Sequence, residues 1–318
     1  MTFAGSPERV EARLVAEAGY PFDPFRASGF PRRPGLRLLR AAAQAVAAPF
    51  ACRAILERRR PDVVLGGGGY VAGPMVLAAW TKRIPAAVTE ADAQVGLANR
   101  LASPFARRVF LAYPGEQERG VGRPIPSRSR AVPRDEARRE LGLPAEGPVL
   151  LVAGALAGAR SLNEAAVEAF GERGPAVLHL TGERDFELVR ARVSREDYVV
   201  LPSTRRFGAA LGAADLALAR AGGSVWELAA AGLPAVLVPY PHATADHQTR
   251  NAEHFERAGG AVVVPDAELG RAVEVVRSLL ADEAELAAMR KAMLGAARPG
   301  AAEEIAEELV RLAAAARR

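Results

Sequence analysis

The chain has 318 residues, too many for one average domain and suited to two, and a hydrophobic content of 50% can supply two cores. A lone cysteine, Cys52, excludes a disulfide framework and a Cys-rich metal site, and four histidines without paired acidic spacing argue against a built-in metal, so no cofactor is expected. The formal net charge of +5 and a pI near 9.8 point to an anionic partner. No apolar run reaches the length of a membrane span and the first residues lack a signal peptide's apolar core, so a soluble or peripheral protein in a reducing cytoplasm is expected.

In chain order, residues 7–18 are expected as a helix, and the stretch to Phe30 as strand and loop broken by Pro21, Pro24 and Pro31. A long helix over 36–59 follows. Between Arg26 and Arg60 there are nine arginines and one acid, Glu57, interleaved with Phe30, Leu36, Val46, Phe50 and Ile55. Such a basic, apolar face suits anionic lipid; an ordinary surface helix of an arginine-rich chain is the competing reading. Nucleic acid is a weaker reading, because the arginines alternate with aliphatic residues and few aromatics are available to stack on bases. Asp62 to Leu65 is a short buried strand that runs into Gly66-Gly67-Gly68-Gly69-Tyr70, and Val71 to Lys82 is helical. Pro85 to Thr89 is the next strand, ending in Glu90-Ala91-Asp92. A short helix containing Gly96 and Asn99 and a strand from Val109 to Tyr113 complete an alternating β/α half.

From Pro114 to Pro148 the composition shifts to Pro, Gly, Arg and Glu, which marks a linker and places the boundary near residue 135. The expected domains are residues 1–135 and 136–300, with a helix over 301–318 returning towards the first. Strands at 149–153, 176–181, 198–202, 215–219, 234–239 and 260–264 alternate with helices, the last of them at 267–280, 283–296 and 301–315. The fold class is therefore α/β, with two doubly wound, Rossmann-like domains facing a cleft.

Residues 215–254 carry the strongest chemical signal. An apolar run ends at Arg220, Gly222-Gly223-Ser224 make a sharp turn, and a helix begins with Glu227 in its first turn, the pattern of a phosphate-binding strand-turn-helix unit. A second apolar run, Ala235 to Val238, leads to a polar loop with His242, Asp246, His247, Gln248 and Asn251, so two polar loops leave neighbouring strands on one sheet edge. Taken alone, Glu227 also fits ordinary helix capping, His247 a solvent-facing helix start, and His179, within a strand, the core.

PDVVLGGGGYVAGPMVLAAW (61–80), GARSLNEA (158–165) and RAGGSVWELAAAGLPAVLVPYPHATADHQTRNA (220–252) resemble, in order and spacing, the motifs of the peripheral membrane glycosyltransferases of peptidoglycan synthesis. The similarity runs from about residue 7 to the C-terminus. It implies the two-domain GT-B fold and inverting transfer of N-acetylglucosamine from UDP-N-acetylglucosamine to undecaprenyl-linked muramoyl-pentapeptide, at the cytoplasmic face of the membrane and without a metal. By the same resemblance, Arg220, Gly222, Gly223, Ser224, Glu227, His247, Gln248, Asn251 and Thr204 bind the donor, with Glu227 on the ribose. Gly67, Gly68, Gly69, Tyr70, Asp92 and Asn99 face the acceptor, and Phe50, Trp80, Arg37 and Arg40 form a patch on the anionic membrane surface. Glu90 is the expected base or base-orienting carboxylate.

The sequence also departs from that pattern. The family's opening strand and its glycine-rich loop ending in histidine belong before Met1, so the N-terminal sheet is expected to lack its first, central strand. The family's His-Glu-Gln-Asn stands here as Thr89-Glu90-Ala91-Asp92, the arginine ending its Gly-Asn-Pro-Val-Arg motif as Pro126, and its Gly-Gly-Ser-Gln-Gly as Gly154-Ala155-Leu156-Ala157-Gly158. Arg123 or Arg160 could replace the charge lost at Pro126. Two other readings stay open: a UDP-sugar-binding remnant without activity, and a related transferase with a different lipid acceptor.

Overall fold

The computed structural model describes residues 1–27, 35–115, 120–154 and 158–317, with the side chains at 36–40 and 42 outside the description. Phe30, Ala155, Leu156 and Ala157, and the side chains of Arg37 and Arg40, therefore fall outside it. The chain divides into two compact units, one of residues 1–91, 95–121 and 303–318, the other of residues 92–94 and 122–302.

In the first unit, β1 (Phe3–Gly5), α1 (Val10–Glu17), β2 (Phe22–Pro24) and the long α2 (Leu36–Arg59) come first. Then follow β3 (Val64–Gly66), α3 (Gly69–Thr81), β4 (Ala86–Glu90), α4 (Leu97–Ala102) and β5 (Arg108–Leu111). Its strands lie in two separate parallel sheets, β1-β2 and β3-β4-β5. The sequence reading, which expected one sheet short of a central strand, did not foresee β1: three residues, Phe-Ala-Gly, offer no alternation to read. Phe25, Cys52, Ile55, Val64, Val76 and Val88 form the core. Burial pushes the Cys52 thiol up to about 12 and leaves it inert.

The second unit holds α5 (Arg134–Leu141), β6 (Val149–Ala153), α6 (Arg160–Phe170), β7 (Ala176–Leu180), α7 (Phe186–Arg190), β8 (Tyr198–Leu201) and α8 (Phe207–Ala213). It continues with β9 (Leu216–Ala219), α9 (Val225–Ala230), β10 (Ala235–Leu237), α10 (His247–Arg257), β11 (Ala261–Val263), α11 (Leu269–Leu280) and α12 (Glu283–Ala296). Its six strands are all parallel, in the order β11-β10-β9-β6-β7-β8. Helices cover both faces, which is why these strands read as unbroken apolar runs. Leu150, Val152, Leu162, Phe170, Leu216, Leu218 and Val236 fill the core. On α11, Ala272, Val273, Val276 and Leu279 make the inward stripe that a 3.6-residue period requires. The last helix, α13 (Ala301–Ala316), lies largely in the first unit, where Ile305 packs with Ala87 and Phe110 and Glu308 accepts from Arg108 Nε at 2.7 Å.

The boundary falls after Val121 and not near residue 135. Two close approaches fix it. A Cβ at Gly208 would lie 2.0 Å from the Arg130 carbonyl oxygen and one at Gly212 2.0 Å from that of Val132, so the 130–132 backbone rests directly on α8. The expected linker also contains α5, whose buried Arg138 donates to Asp215 Oδ2 at 2.8 Å and to the Ala213 carbonyl at 3.0 Å. A charge-rich helix whose arginine points inward reads as linker in the sequence.

Candidate functional site

In the second unit the chain runs β6 to β8 outward on one side, then returns to place β9 beside β6 and continues to β11 on the other. The reversal lies between β6 and β9, and in open parallel sheets ligands bind outside the strand ends at such a switch point. The turn Ala221–Ser224 leaves β9 there. Among the described residues, the backbone N–H groups of Gly222, Gly223 and Ser224 find no backbone acceptor, and the Ser224 side chain makes no capping bond. Glu227, one turn on and half-buried, has no ion pair or hydrogen bond to any described residue. Three N–H donors and a half-buried carboxylate without partners among the described residues thus lie within one short stretch.

Gln248 is brought to the same turn. A Cβ at Gly222 would lie 4.0 Å from Gln248 Nε2, and Gln248 Oε1 accepts from Tyr240 N at 2.9 Å, so the amide nitrogen is the end left to serve a ligand. His247 Nδ1 lies 2.8 Å from the Thr244 carbonyl, which can only accept, so Nδ1 carries a proton and donates to it. Before it, Ala245 and Asp246 both hold φ near +53°, a left-handed pair that costs non-glycine residues energy. Thr204 follows the edge strand β8, and its hydroxyl accepts from Arg206 N at 3.0 Å to shape the entry into α8.

Two expected donor residues are consumed by the scaffold instead. Arg220 is buried; its guanidinium donates to the Val238 and Pro239 carbonyls at 3.1 and 3.2 Å and to Ser161 Oγ at 2.7 Å, and pairs with Asp266 at 2.7 Å. It acts as a strut that ties the end of β9 to the end of β10. Asn251 is fully buried, accepting from Ala93 N at 2.8 Å and donating to Asp92 Oδ1 at 3.1 Å and the Ala221 carbonyl at 3.2 Å. It braces the turn from behind. Asp92, expected on the acceptor side, is held by this amide within the second unit.

Behind the sheet edge lies a buried polar network. His179 Nδ1 meets Tyr198 Oη at 2.9 Å and Nε2 meets Asn163 Oδ1 at 3.0 Å, while the Asn163 amide donates to Asp185 at 3.1 Å. Desolvation drives the His179 pKa down to about 3, so the ring is a neutral core element, as its strand position suggested.

The first unit carries the other glycine loop. Gly68 and Gly69 take φ of +90° and +69°, conformations open to glycine and strained for other residues, and the Gly67 and Gly68 N–H groups have no backbone acceptor among the described residues. Tyr70 Oη accepts from Arg9 Nε at 2.9 Å. Asn99 is buried beside the loop and donates to the Thr89 carbonyl at 3.0 Å and to Glu90 Oε2 at 2.9 Å, while its own Oδ1 has no partner among the described residues. Glu90 Oε2 also accepts from Gly96 N at 2.8 Å. This buried carboxylate anchors the start of α4 and orients Asn99; it does not stand open as a base. No group of three His, Cys, Asp or Glu that could hold a metal occurs among the described residues.

Residues 149–305 match the glycosyltransferase family 28 C-terminal domain and residues 2–111 the glycosyltransferase family 28 N-terminal domain. The chain belongs to glycosyltransferase family 28. A Rhodococcus jostii relative named UDP-N-acetylglucosamine--N-acetylmuramyl-(pentapeptide) pyrophosphoryl-undecaprenol N-acetylglucosamine transferase is 40% identical over 341 residues, spanning 100% of this chain and 89% of the relative. One of the same name from Acidithiobacillus ferrooxidans is 42% identical over 296 residues, 89% of this chain and 81% of the relative. Among solved structures, Acinetobacter baumannii MurG superposes with a TM-score of 0.79 at 26% identity, covering 98% of this chain and 90% of that one. The calicheamicin glycosyltransferase CalG4, at a TM-score of 0.64 and 19% identity over 97% of this chain and 90% of its own, shares the fold. The family 28 chain thus has two Rossmann-like α/β domains with parallel sheets, the GT-B type that the resemblance implied.

Arg123 is the residue that sequence reasoning named only as a stand-in for Pro126. Its guanidinium lies against Gly223. No local signal in the sequence connects positions so far apart.

Proposed function

We propose that this chain is an inverting hexosyltransferase that moves N-acetylglucosamine from UDP-N-acetylglucosamine to N-acetylmuramyl-(pentapeptide) pyrophosphoryl-undecaprenol, the transfer for which its relatives are named. One observation carries the donor half of this reading. At the β6/β9 switch point, three N–H groups and a carboxylate, all without partners among the described residues, stand together as a diphosphate cradle next to a diol acceptor. Glu227 accepts from two ribose hydroxyls, Gly222 to Ser224 hold the diphosphate without a metal, and the Gln248 amide reaches the sugar. The acceptor's 4-hydroxyl oxygen attacks the anomeric carbon from the face opposite UDP. A C–O bond forms, the bond to UDP breaks, the hydroxyl proton passes to a base, and the turn's N–H groups stabilise the charge that develops on the leaving diphosphate.

In the first unit, the Gly66–Gly69 loop offers backbone donors to the acceptor's pyrophosphate. Phe50 and Trp80 are 73% and 56% exposed, and a cavity of about 650 Å³ with Trp80, Phe105 and Leu312 beside Arg83 and Arg107 joins apolar and cationic surface. That chemistry suits an anionic lipid surface, and no described helix is long and apolar enough to cross a membrane. A peripheral position on the cytoplasmic face of the cell membrane follows from the reading.

The test is incubation with UDP-N-acetylglucosamine and a short-chain lipid acceptor in the presence of a chelator. UDP release matched by glycosylated acceptor is expected. Failure to release UDP from a folded sample overturns the activity, and UDP binding without turnover identifies a donor-binding remnant.

A further inference from the structure

A Cβ built on Gly223 would lie 1.4 Å from Arg123 Nη1, 2.2 Å from Cζ and 2.8 Å from Nη2. The guanidinium therefore occupies the volume that glycine leaves open, in the middle of the turn whose N–H groups lack acceptors. Arg123 is half-buried and makes no ion pair or hydrogen bond to any described residue. Other arginines of the second unit have carboxylate partners: Arg220 pairs with Asp266, Arg138 and Arg134 with Asp215, and Arg160 with Glu164. The chain that carries Arg123 is fixed on both sides. Gly122, at φ +84°, lies under Arg298, where an added Cβ would come 2.2 Å from the Arg298 Cβ, and Pro124 limits the backbone after it.

An arginine keeps its charge at any working pH, and setting that charge beside three N–H dipoles that lack backbone acceptors is unfavourable unless an anion lies among them. A group with several anionic oxygens satisfies all four at once. We propose that Arg123 binds the donor: its guanidinium takes the diphosphate of the nucleotide held at Gly222-Gly223-Ser224, and Gly223 is required because a side chain there would exclude it. The inference rests on the donor site proposed above and adds to it the cation that the turn itself lacks.

Titration of the full chain with UDP and with uridine tests this in wild type, Arg123→Gln, Gly223→Ala and the double variant. Arg123→Gln should weaken UDP about 10- to 100-fold, the usual worth of a hydrogen bond to a charged group, and leave uridine unchanged, which also shows that the variant is folded. Arg123→Lys should recover only part of the loss, because an ammonium lacks the two-pronged fork. Gly223→Ala should also weaken UDP, and the double variant should bind no worse than the weaker single, because either change removes the same guanidinium from the turn. Undiminished UDP affinity in Arg123→Gln, equal losses of UDP and uridine, or additive losses in the double variant would overturn the assignment. If wild type binds neither ligand, the donor site itself fails; if wild type binds both and Arg123→Gln binds UDP as tightly as wild type, this assignment alone fails.

Discussion

The two glycine loops, Gly66–Gly69 in the first unit and Gly222-Gly223 in the second, look alike in sequence and use glycine for different reasons. In the first, Gly68 and Gly69 have φ of +90° and +69°, so the backbone itself demands glycine, and the space around Gly69 is open. In the second, neither Gly222 nor Gly223 is among the positive-φ residues; there the glycine makes room for a side chain from elsewhere in the chain. One loop is specified by dihedral angle and the other by volume. A glycine in a strand-turn-helix pattern therefore says that backbone approaches something, and only the fold says what.

The largest effect that separates the loops is expected at Glu227, the carboxylate that follows the second loop. Glu227→Ala should lower kcat/KM for UDP-N-acetylglucosamine by about 100-fold or more, since two hydrogen bonds to a charged group are lost. Steady-state kinetics would show this, and an unchanged value would remove Glu227 from the donor site.

Acid should distinguish the units next. His179 is neutral in the fold, with its pKa pushed down to about 3, whereas the unfolded chain takes up that proton near 6.5. The unfolded state thus binds more protons below pH 6.5, and the second unit should lose up to about 1.4 kcal/mol per pH unit as the pH falls from there towards 3. In the first unit, Asp23 has its carboxyl held below the usual range by the hydrogen bond from Arg59, with Arg58 adding to it. Its contribution is present above the ordinary 3.8 and is lost only below it. Trp80 lies in the first unit and Trp226 in the second, so single-tryptophan variants report each separately in urea titrations at pH 7 and pH 5. Only the Trp226 transition should move.

The smallest effects test the glycines directly. Gly68→Ala should cost about 1–3 kcal/mol, because φ +90° with ψ 179° is a region essentially confined to glycine. Gly222→Ala should cost under about 0.5 kcal/mol, because its Cβ meets nothing closer than Gln248 Nε2 at 4.0 Å. Denaturant midpoints that rank them the other way would break the distinction between the loops.

Much of the fold was legible because the second unit's strands are buried on both faces. Val149–Ala153 and Leu216–Ala219 are apolar throughout, and Gly222, Ser224 and Glu227 follow at the spacing of a strand-turn-helix unit. What escaped was set by distance along the chain. Arg220 reads as a loop cation until Asp266 is found beside it, and Asn251 reads as a ligand until residues 92, 93 and 221 are seen to take both of its amide hydrogens and one acceptor position. The segment 122–133 reads as linker because its polar composition conceals the contacts with Gly208 and Gly212. Glu90 reads as a base because its engagement by Gly96 and Asn99 is tertiary.

Arg220 bears on how the site responds to its medium. Because Asp266 answers its charge inside the protein, the cation that the turn offers in the proposed site is Arg123, which has no carboxylate partner among the described residues. Mobile ions have little loose charge to screen there. Donor capture through one arginine should fall less steeply with ionic strength than the proposed binding of the arginine-rich first unit to an anionic surface.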